Sequence, residues 1–424
     1  MKIYIKLLLF TFISIVYCEN TFAQTRIKIE TILKGEVVGR PNSKNLLLVK
    51  AFDDVRHDRI ATIPIVDGEF EYILISEEIS AYELIFEEEF YAGMMKPIRF
   101  FSENATVIFK LNDSELFENN EIKGGEINKS HQNFQNKIVF AFSKKSNIIQ
   151  QQYKGIPFEK LFSEAYIKVI EKLKNAKTQE EKVPIYKEME TLRKKGLDKS
   201  ELGEERDNKS KALYKVYIND KYKYIEDNHN IVSYSLLIDD LIGIKYNETD
   251  EALIRKSFKM LREKYPNHSY TKLGANLLHA LKDLKIGGQY VNFIAPDIKG
   301  NKFELKSVLE KNKIVLLDLW ATWCGPCIAK TRLAKPVYEK YKDKGFAILG
   351  VAGEHKTLDA YKSFIEKEKW EWQQLIELNK QNQIWEKYNV MNGGGGMFLI
   401  TGSGEILAVN PSAEEVETIL KERL

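Results

Sequence analysis

Cysteine is scarce in this chain, three residues in 424, and one of the three, Cys18, lies in the first 24 residues. That segment carries Lys2 and Lys6, an apolar run from Leu7 to Val16, and then Thr21-Phe22-Ala23. This is the order of a secretory signal, with cleavage expected after Ala23. A lipoprotein signal with lipid on Cys18 is the weaker alternative, because Tyr17 is bulky for the position before a lipidated cysteine. Once the signal is gone, Cys324 and Cys327 are the only thiols. Structural disulfides are common in oxidising compartments; here the scarcity excludes a disulfide-stapled scaffold and leaves one pair, the active one. Long apolar runs are also lacking. Leu7 to Val16 is too short to span a bilayer, and no later stretch is apolar enough to cross a membrane. Net charge is small, +3. Lys2, Lys6 and Glu19 account for two positive charges and one negative, leaving +2, which gives no support for nucleic-acid binding. Histidine is sparse too. His57, among Asp53, Asp54 and Asp58, reads as a solvated loop rather than a metal site, and His229, His268 and His279 take no ligand role. Neither a metal nor a cofactor is expected.

What is present centres on Val315 to Cys327, Val-Leu-Leu-Asp-Leu-Trp-Ala-Thr-Trp-Cys-Gly-Pro-Cys. The apolar Ile314 to Leu319 has the length and composition of a buried strand. It stops at a tight turn, and a helical pattern follows to about Lys342. Two cysteines with two residues between them, at a strand-to-helix junction, can close a small disulfide ring. The free N–H groups of the helix start favour a thiolate at Cys324. Half of a zinc site is the competing reading, but zinc needs four ligands and no second Cys or His pair has a usable spacing. Cys324, expected to face solvent, is the attacking thiolate. Cys327, one turn into the helix, resolves the mixed disulfide. Pro326 restricts the turn, and Trp323 flanks it as an apolar contact surface.

The run Asp318 to Cys327 resembles a thioredoxin active site. Upstream, Phe293-Ile294-Ala295-Pro296-Asp297 and Gly300-Asn301-Lys302 resemble the lead-in of the envelope-located TlpA-like thiol–disulfide oxidoreductases. The resemblance covers about residues 287–424. It implies a thioredoxin-like α/β fold, periplasmic or cell-envelope placement, protein thiols and disulfides as substrates, and a reductase role sustained by a membrane electron donor. It also implies a catalytic part for Asp318. A carboxyl buried at the end of that strand has a raised pKa and can take the proton of Cys327 as it attacks.

Three positions depart from the family pattern. Gly395, within Gly393-Gly394-Gly395-Gly396, stands where the family places a cis-proline that pairs with the substrate strand. A cis bond before glycine costs about 3 kcal/mol, so a trans, mobile loop is expected, with Gly395 and Gly396 still at the substrate side. Lys330 replaces a glutamate often found three residues after the second cysteine. A cation there favours thiolate and shifts the potential upward, unless it points to solvent. Arg332 replaces a helix proline, so a straighter helix is expected.

The remainder is read from pattern alone. Residues 25–125 show short strand-like runs, Leu46 to Val49, Ile60 to Ile63 and Thr106 to Phe109, with an Asp67-Gly68 hairpin signal. They fit a small antiparallel β-sandwich-like domain. Residues 126–286 switch to helical periodicity, with one amphipathic stripe from Phe158 to Leu173 and others at Leu253 to Leu261 and Thr271 to Leu284. Lys194 to Ser210 reads as a loop or frayed helix end. This helical domain could hold a partner or pair two copies as a homodimer. The chain is thus expected to be multidomain, with residues 1–24 a signal, 25–125 β, 126–286 helical and 287–424 thioredoxin-like. Two other functions remain. A peroxiredoxin-like peroxidase wants Pro-x-x-x-Thr-x-x-Cys, and Thr322 stands two residues before Cys324, not three. A binding or scaffold protein with a weakened thioredoxin fold would suit Gly395 and the large N-terminal two-thirds.

Overall fold

The computed structural model describes residues 28–177, 179–244, 249–390 and 395–424. The expected signal, with Cys18, and Gly393 and Gly394 lie outside the described residues.

The first region is a sandwich of two four-stranded sheets. Its strands are β1 (Ile29–Val37), β2 (Asn45–Lys50), β3 (Ala61–Pro64), β4 (Glu69–Ser76), β5 (Ala81–Phe86), β6 (Ile98–Phe101), β7 (Ala105–Leu111) and β8 (Glu121–Lys123). One sheet has the order β4-β1-β7-β8 and the other β3-β2-β5-β6. Their inner faces share Leu33, Leu46, Leu48, Phe70, Leu84, Phe100, Val107 and Phe109. Two expectations need correction. The sandwich is not wholly antiparallel, since β1 and β7 pair in parallel. The Asp67-Gly68 turn is not a full hairpin. Both residues take positive φ, as such a turn demands, but beyond the Val66–Glu69 bridge the chain crosses from one sheet to the other.

Strand β2 is buried on both faces. Leu46 and Leu48 face the sandwich core, while Leu47 and Val49 pack with Val55 and Ile85 on the other side. Val55 anchors the loop that follows, and Ala51, Asp54 and Val55 are buried in it while Asp53, Arg56 and Ile60 stay exposed.

The helical region packs directly on this sandwich. Ala51, Ala81 and Phe101 belong to the same apolar core as Ile225, Tyr234, Leu237, Ile254, Phe258 and Tyr270. Asn128 closes the seam by pairing its amide with both backbone groups of Phe101, at 2.8 Å each. Two helix expectations fail. The Phe158-to-Leu173 stripe is interrupted: Ser163 caps a new helix, Glu164–Asn175, by accepting from the Tyr166 N–H. The Lys194-to-Ser210 stretch is a short turn and then the start of a 27-residue helix, Glu201–Asp227, capped by Ser200. Serine at an N-cap satisfies an orphan helix donor, and that local signal outweighed both the stripe and the charge run.

The last region begins with a two-stranded ribbon, β9 (Ile294–Pro296) with β10 (Lys302–Glu304). A five-stranded mixed sheet follows: β11 (Ile314–Trp320), β12 (Phe346–Glu354), β13 (Gln373–Leu378), β14 (Gly396–Thr401) and β15 (Ile406–Val409), in the order β13-β12-β11-β14-β15. Central β11 is buried at all seven positions, as a strand covered on both faces must be. The helices Gly325–Tyr341, Asp359–Glu368 and Ala413–Arg423 complete the layers. The thioredoxin-like α/β domain is therefore as expected. The first helix carries Pro336 in its interior, one turn beyond the position that Arg332 fills. Among the described residues no helix is long and apolar enough to cross a membrane.

Candidate active site

The site sits where β11 ends and the helix Gly325–Tyr341 begins. The Cys324 N–H donates to the Ala321 carbonyl at 3.0 Å, closing the turn. Cys324 is the N-cap of the helix, Pro326 stands in its first turn, and the Cys327 N–H points at the Cys324 sulfur, 3.3 Å away. Cys324 and Cys327 form a disulfide with Cα atoms 5.3 Å apart. When the bond is reduced, that N–H and the helix start favour a thiolate at Cys324. The expectation that Cys324 faces solvent is corrected: its relative exposure is 4% and that of Cys327 is 8%.

Asp318, on β11, is 1% exposed. Its Oδ2 accepts from the Thr331 hydroxyl at 2.7 Å, and the same hydroxyl lies 3.0 Å from the Cys327 carbonyl. Burial pushes the carboxyl up to about 7, opposed by the Thr331 hydrogen bond and the Lys330 charge. Thr331 is thus a bridge between the carboxyl and the cysteine's turn. The only sequence signal for it was its place four residues after Cys327, on the same helix face. Lys330 itself is exposed, which weakens its pull on the thiol pair.

Gly395 is closely fitted, not open. Its φ is +90°, and an added Cβ would lie 2.1 Å from the Leu319 carbonyl oxygen and 2.9 Å from the Cys327 sulfur. Proline, locked near φ −65°, could not take this conformation. Gly396 opens β14 and pairs with Leu319.

Trp323 is where the structure departs furthest from expectation. Its indole N–H donates to the Gly353 carbonyl at 3.1 Å, and its ring packs 5.7 Å from Trp385. Trp323 is half-buried, and two of its neighbours come from the sandwich. The Arg56 guanidinium lies 4.8 Å over the ring, and the His57 imidazole is 5.0 Å from it. Both come from the β2–β3 loop of the sandwich. His57 also stacks on His355, centroids 3.7 Å apart and planes at 3°. Burial lowers the pKa of both imidazoles, that of His355 to about 4, so both are neutral near pH 7 and can stack. Asp54 holds Arg56 in a fork through Nε and Nη2, and Lys380 pairs with Asp58 at 2.5 Å. The reading of His57 as a solvated loop residue is therefore wrong. No local signal could have revealed this, since its partners lie some 300 residues away in sequence. The cavity between these groups, lined by Asp54, Trp323, His355, Lys380 and Trp385, is about 30 Å³, room for about two waters.

Glu354 was also missed, because an acid at a strand end has many commoner roles. It is buried at the end of β12 and accepts from the Thr322 N–H and hydroxyl, at 2.8 Å each. It thereby fixes the turn that presents Trp323 and Cys324, and burial raises its pKa. Among the described residues no group of three His, Cys, Asp or Glu side chains could hold a metal ion.

A model of the AhpC/TSA family matches residues 286–409. The thiol-disulfide oxidoreductase ResA of Bacillus thuringiensis subsp. konkukian is 30% identical over 141 residues, 32% of this chain and 78% of that protein. ResA of Geobacillus kaustophilus is 31% identical over 125 residues, 28% of this chain and 66% of that protein. Among solved structures, the thioredoxin domain of a thiol-disulfide oxidoreductase from Bacteroides vulgatus is 26% identical, covering 33% of this chain and 98% of that one, with a TM-score of 0.30.

Proposed function

Because the chain belongs, through its last third, to the AhpC/TSA family of thioredoxin-fold proteins and is a thiol–disulfide oxidoreductase, we propose that it acts in the cell envelope as a reductase of protein disulfides. The observation that carries this reading is the Cys324–Cys327 disulfide at a helix start, with a buried carboxyl, Asp318, on the strand beneath.

In the reduced chain the Cys324 thiolate attacks one sulfur of the substrate disulfide. A bond forms between Cys324 and that sulfur, and the other substrate sulfur leaves as a thiolate and takes a proton. Asp318, poised near pH 7, accepts the proton of Cys327. The Cys327 thiolate then attacks the Cys324 sulfur and releases the second substrate thiol. Two electrons have passed from the cysteine pair to the substrate, and the chain is left with its own disulfide. A membrane electron donor restores it by two-electron exchange. Pro326 and Lys330 tune the couple, while Trp323, Gly395 and Gly396 border the approach to the sulfurs. Secretion rests on the Lys2-to-Ala23 pattern.

The test is a trap. Cys327→Ser, which cannot resolve, is expected to accumulate mixed disulfides with envelope proteins, and Cys324→Ser none. Equal trapping by both variants would refute the assignment of Cys324 as nucleophile.

A further inference from the structure

We propose that Arg56 and His57, on the β2–β3 loop of the sandwich, are specificity-determining residues of the exchange site: they cap it in cis and admit only partners able to displace them. The inference rests on the exchange reading above and adds to it which residues keep small-molecule disulfides out.

Trp323, next to Cys324 in the chain, offers its ring as one face across which a substrate sulfur can approach. That surface is partly covered by Arg56 at 4.8 Å and His57 at 5.0 Å, and Cys324 is 4% exposed. Four separate contacts hold the loop: Val55 in the apolar cluster under β2, the Asp54–Arg56 fork, the His57–His355 stack and the Asp58–Lys380 pair. The first two fix the loop's own shape. The last two fasten it to the redox domain and are the ones that open.

The closed arrangement also carries a cost, since the His57 Nε2 is buried without a hydrogen-bond partner, and an unmet polar atom favours leaving. A ligand shifts such an equilibrium only by its differential affinity for the open state. A small disulfide offers little surface with which to displace the loop. A protein presenting its disulfide on an extended segment offers much more. Small-molecule disulfides are therefore disfavoured by the cap.

The experiment uses the full chain, reduced, as wild type, Arg56→Ala/His57→Ala, Lys380→Glu and Lys380→Arg. Two rates are measured: alkylation of Cys324 by iodoacetamide, resolved by mass spectrometry, and exchange with oxidised glutathione against exchange with insulin. Lys380→Glu sets a carboxylate against Asp58 and opens the seam, whereas Lys380→Arg keeps it closed. The double alanine variant and Lys380→Glu are expected to gain about tenfold or more in alkylation and glutathione exchange, the inverse of an open population of about 10% or less. Insulin exchange should rise far less, and Lys380→Arg should match wild type. Equal alkylation rates in all four chains would overturn the cap. Faster alkylation without exchange on any disulfide would uphold the cap and overturn the exchange reading.

Discussion

Two loops meet at Trp323, and they come from different scaffolds. The turn from Ala321 to Cys324 follows a strand buried on both faces of a mixed sheet and leads into a helix. Its chemistry is written in consecutive residues: strand, turn, thiol, helix start, second thiol. The loop at residues 51–60 follows a strand of an antiparallel sheet, carries no motif, and acquires a role only through contacts with His355, Lys380 and Trp323. The comparison teaches where chemistry can be read from a chain. Covalent and helix-dipole effects act over a few residues and leave a local pattern. Control of access acts through tertiary contacts and leaves none.

The comparison can be broken at either loop. The largest effect belongs to the first. Cys324→Ser should abolish disulfide exchange in an insulin-reduction assay, and retained turnover would favour a scaffold whose fold has lost its exchange role. Next is Asp318→Asn, expected to slow the decay of the mixed disulfide about 10²-fold, the ordinary worth of a general base. In wild type that decay should quicken as pH rises through about 7. A matching stability effect has a fixed sign. The folded carboxyl titrates near 7 against an ordinary 3.8, so between those values the folded state binds the extra proton. Stability therefore falls as pH rises from about 4 to about 7, by on the order of a few kcal/mol. Urea midpoints should show this slope in wild type and not in Asp318→Asn.

Smaller effects follow. Gly395→Ala introduces a Cβ at φ +90° against the Leu319 carbonyl, and should lower stability by about 1–3 kcal/mol in urea unfolding. The smallest is Lys330→Glu. The residue is exposed, and a surface charge contributes at most about 1 kcal/mol, so the potential should move by less than about 20 mV.

The redox domain was legible because its signals are dense: Ile314 to Leu319 for the strand, the cysteine spacing, and Asp318 six residues before Cys324. Thr331 and Glu354 were not, because a hydroxyl on a helix face and an acid at a strand end have many commoner roles. Gly395 was recognised as a departure, but its close fit depends on the Leu319 carbonyl and the Cys327 sulfur, which only the fold brings together. In the helical region, periodicity placed the helices and misplaced their breaks. Ser163 and Ser200 are caps, and a lone serine does not announce itself as one.

The reduction potential of the Cys324–Cys327 pair tests the central claim most directly. Trp320 and Trp323 flank the turn, so their fluorescence in dithiothreitol and glutathione buffers should follow the two-electron transition. A reductase requires a value near or below about −230 mV. A value near about −120 mV would make the chain an oxidant and contradict the account.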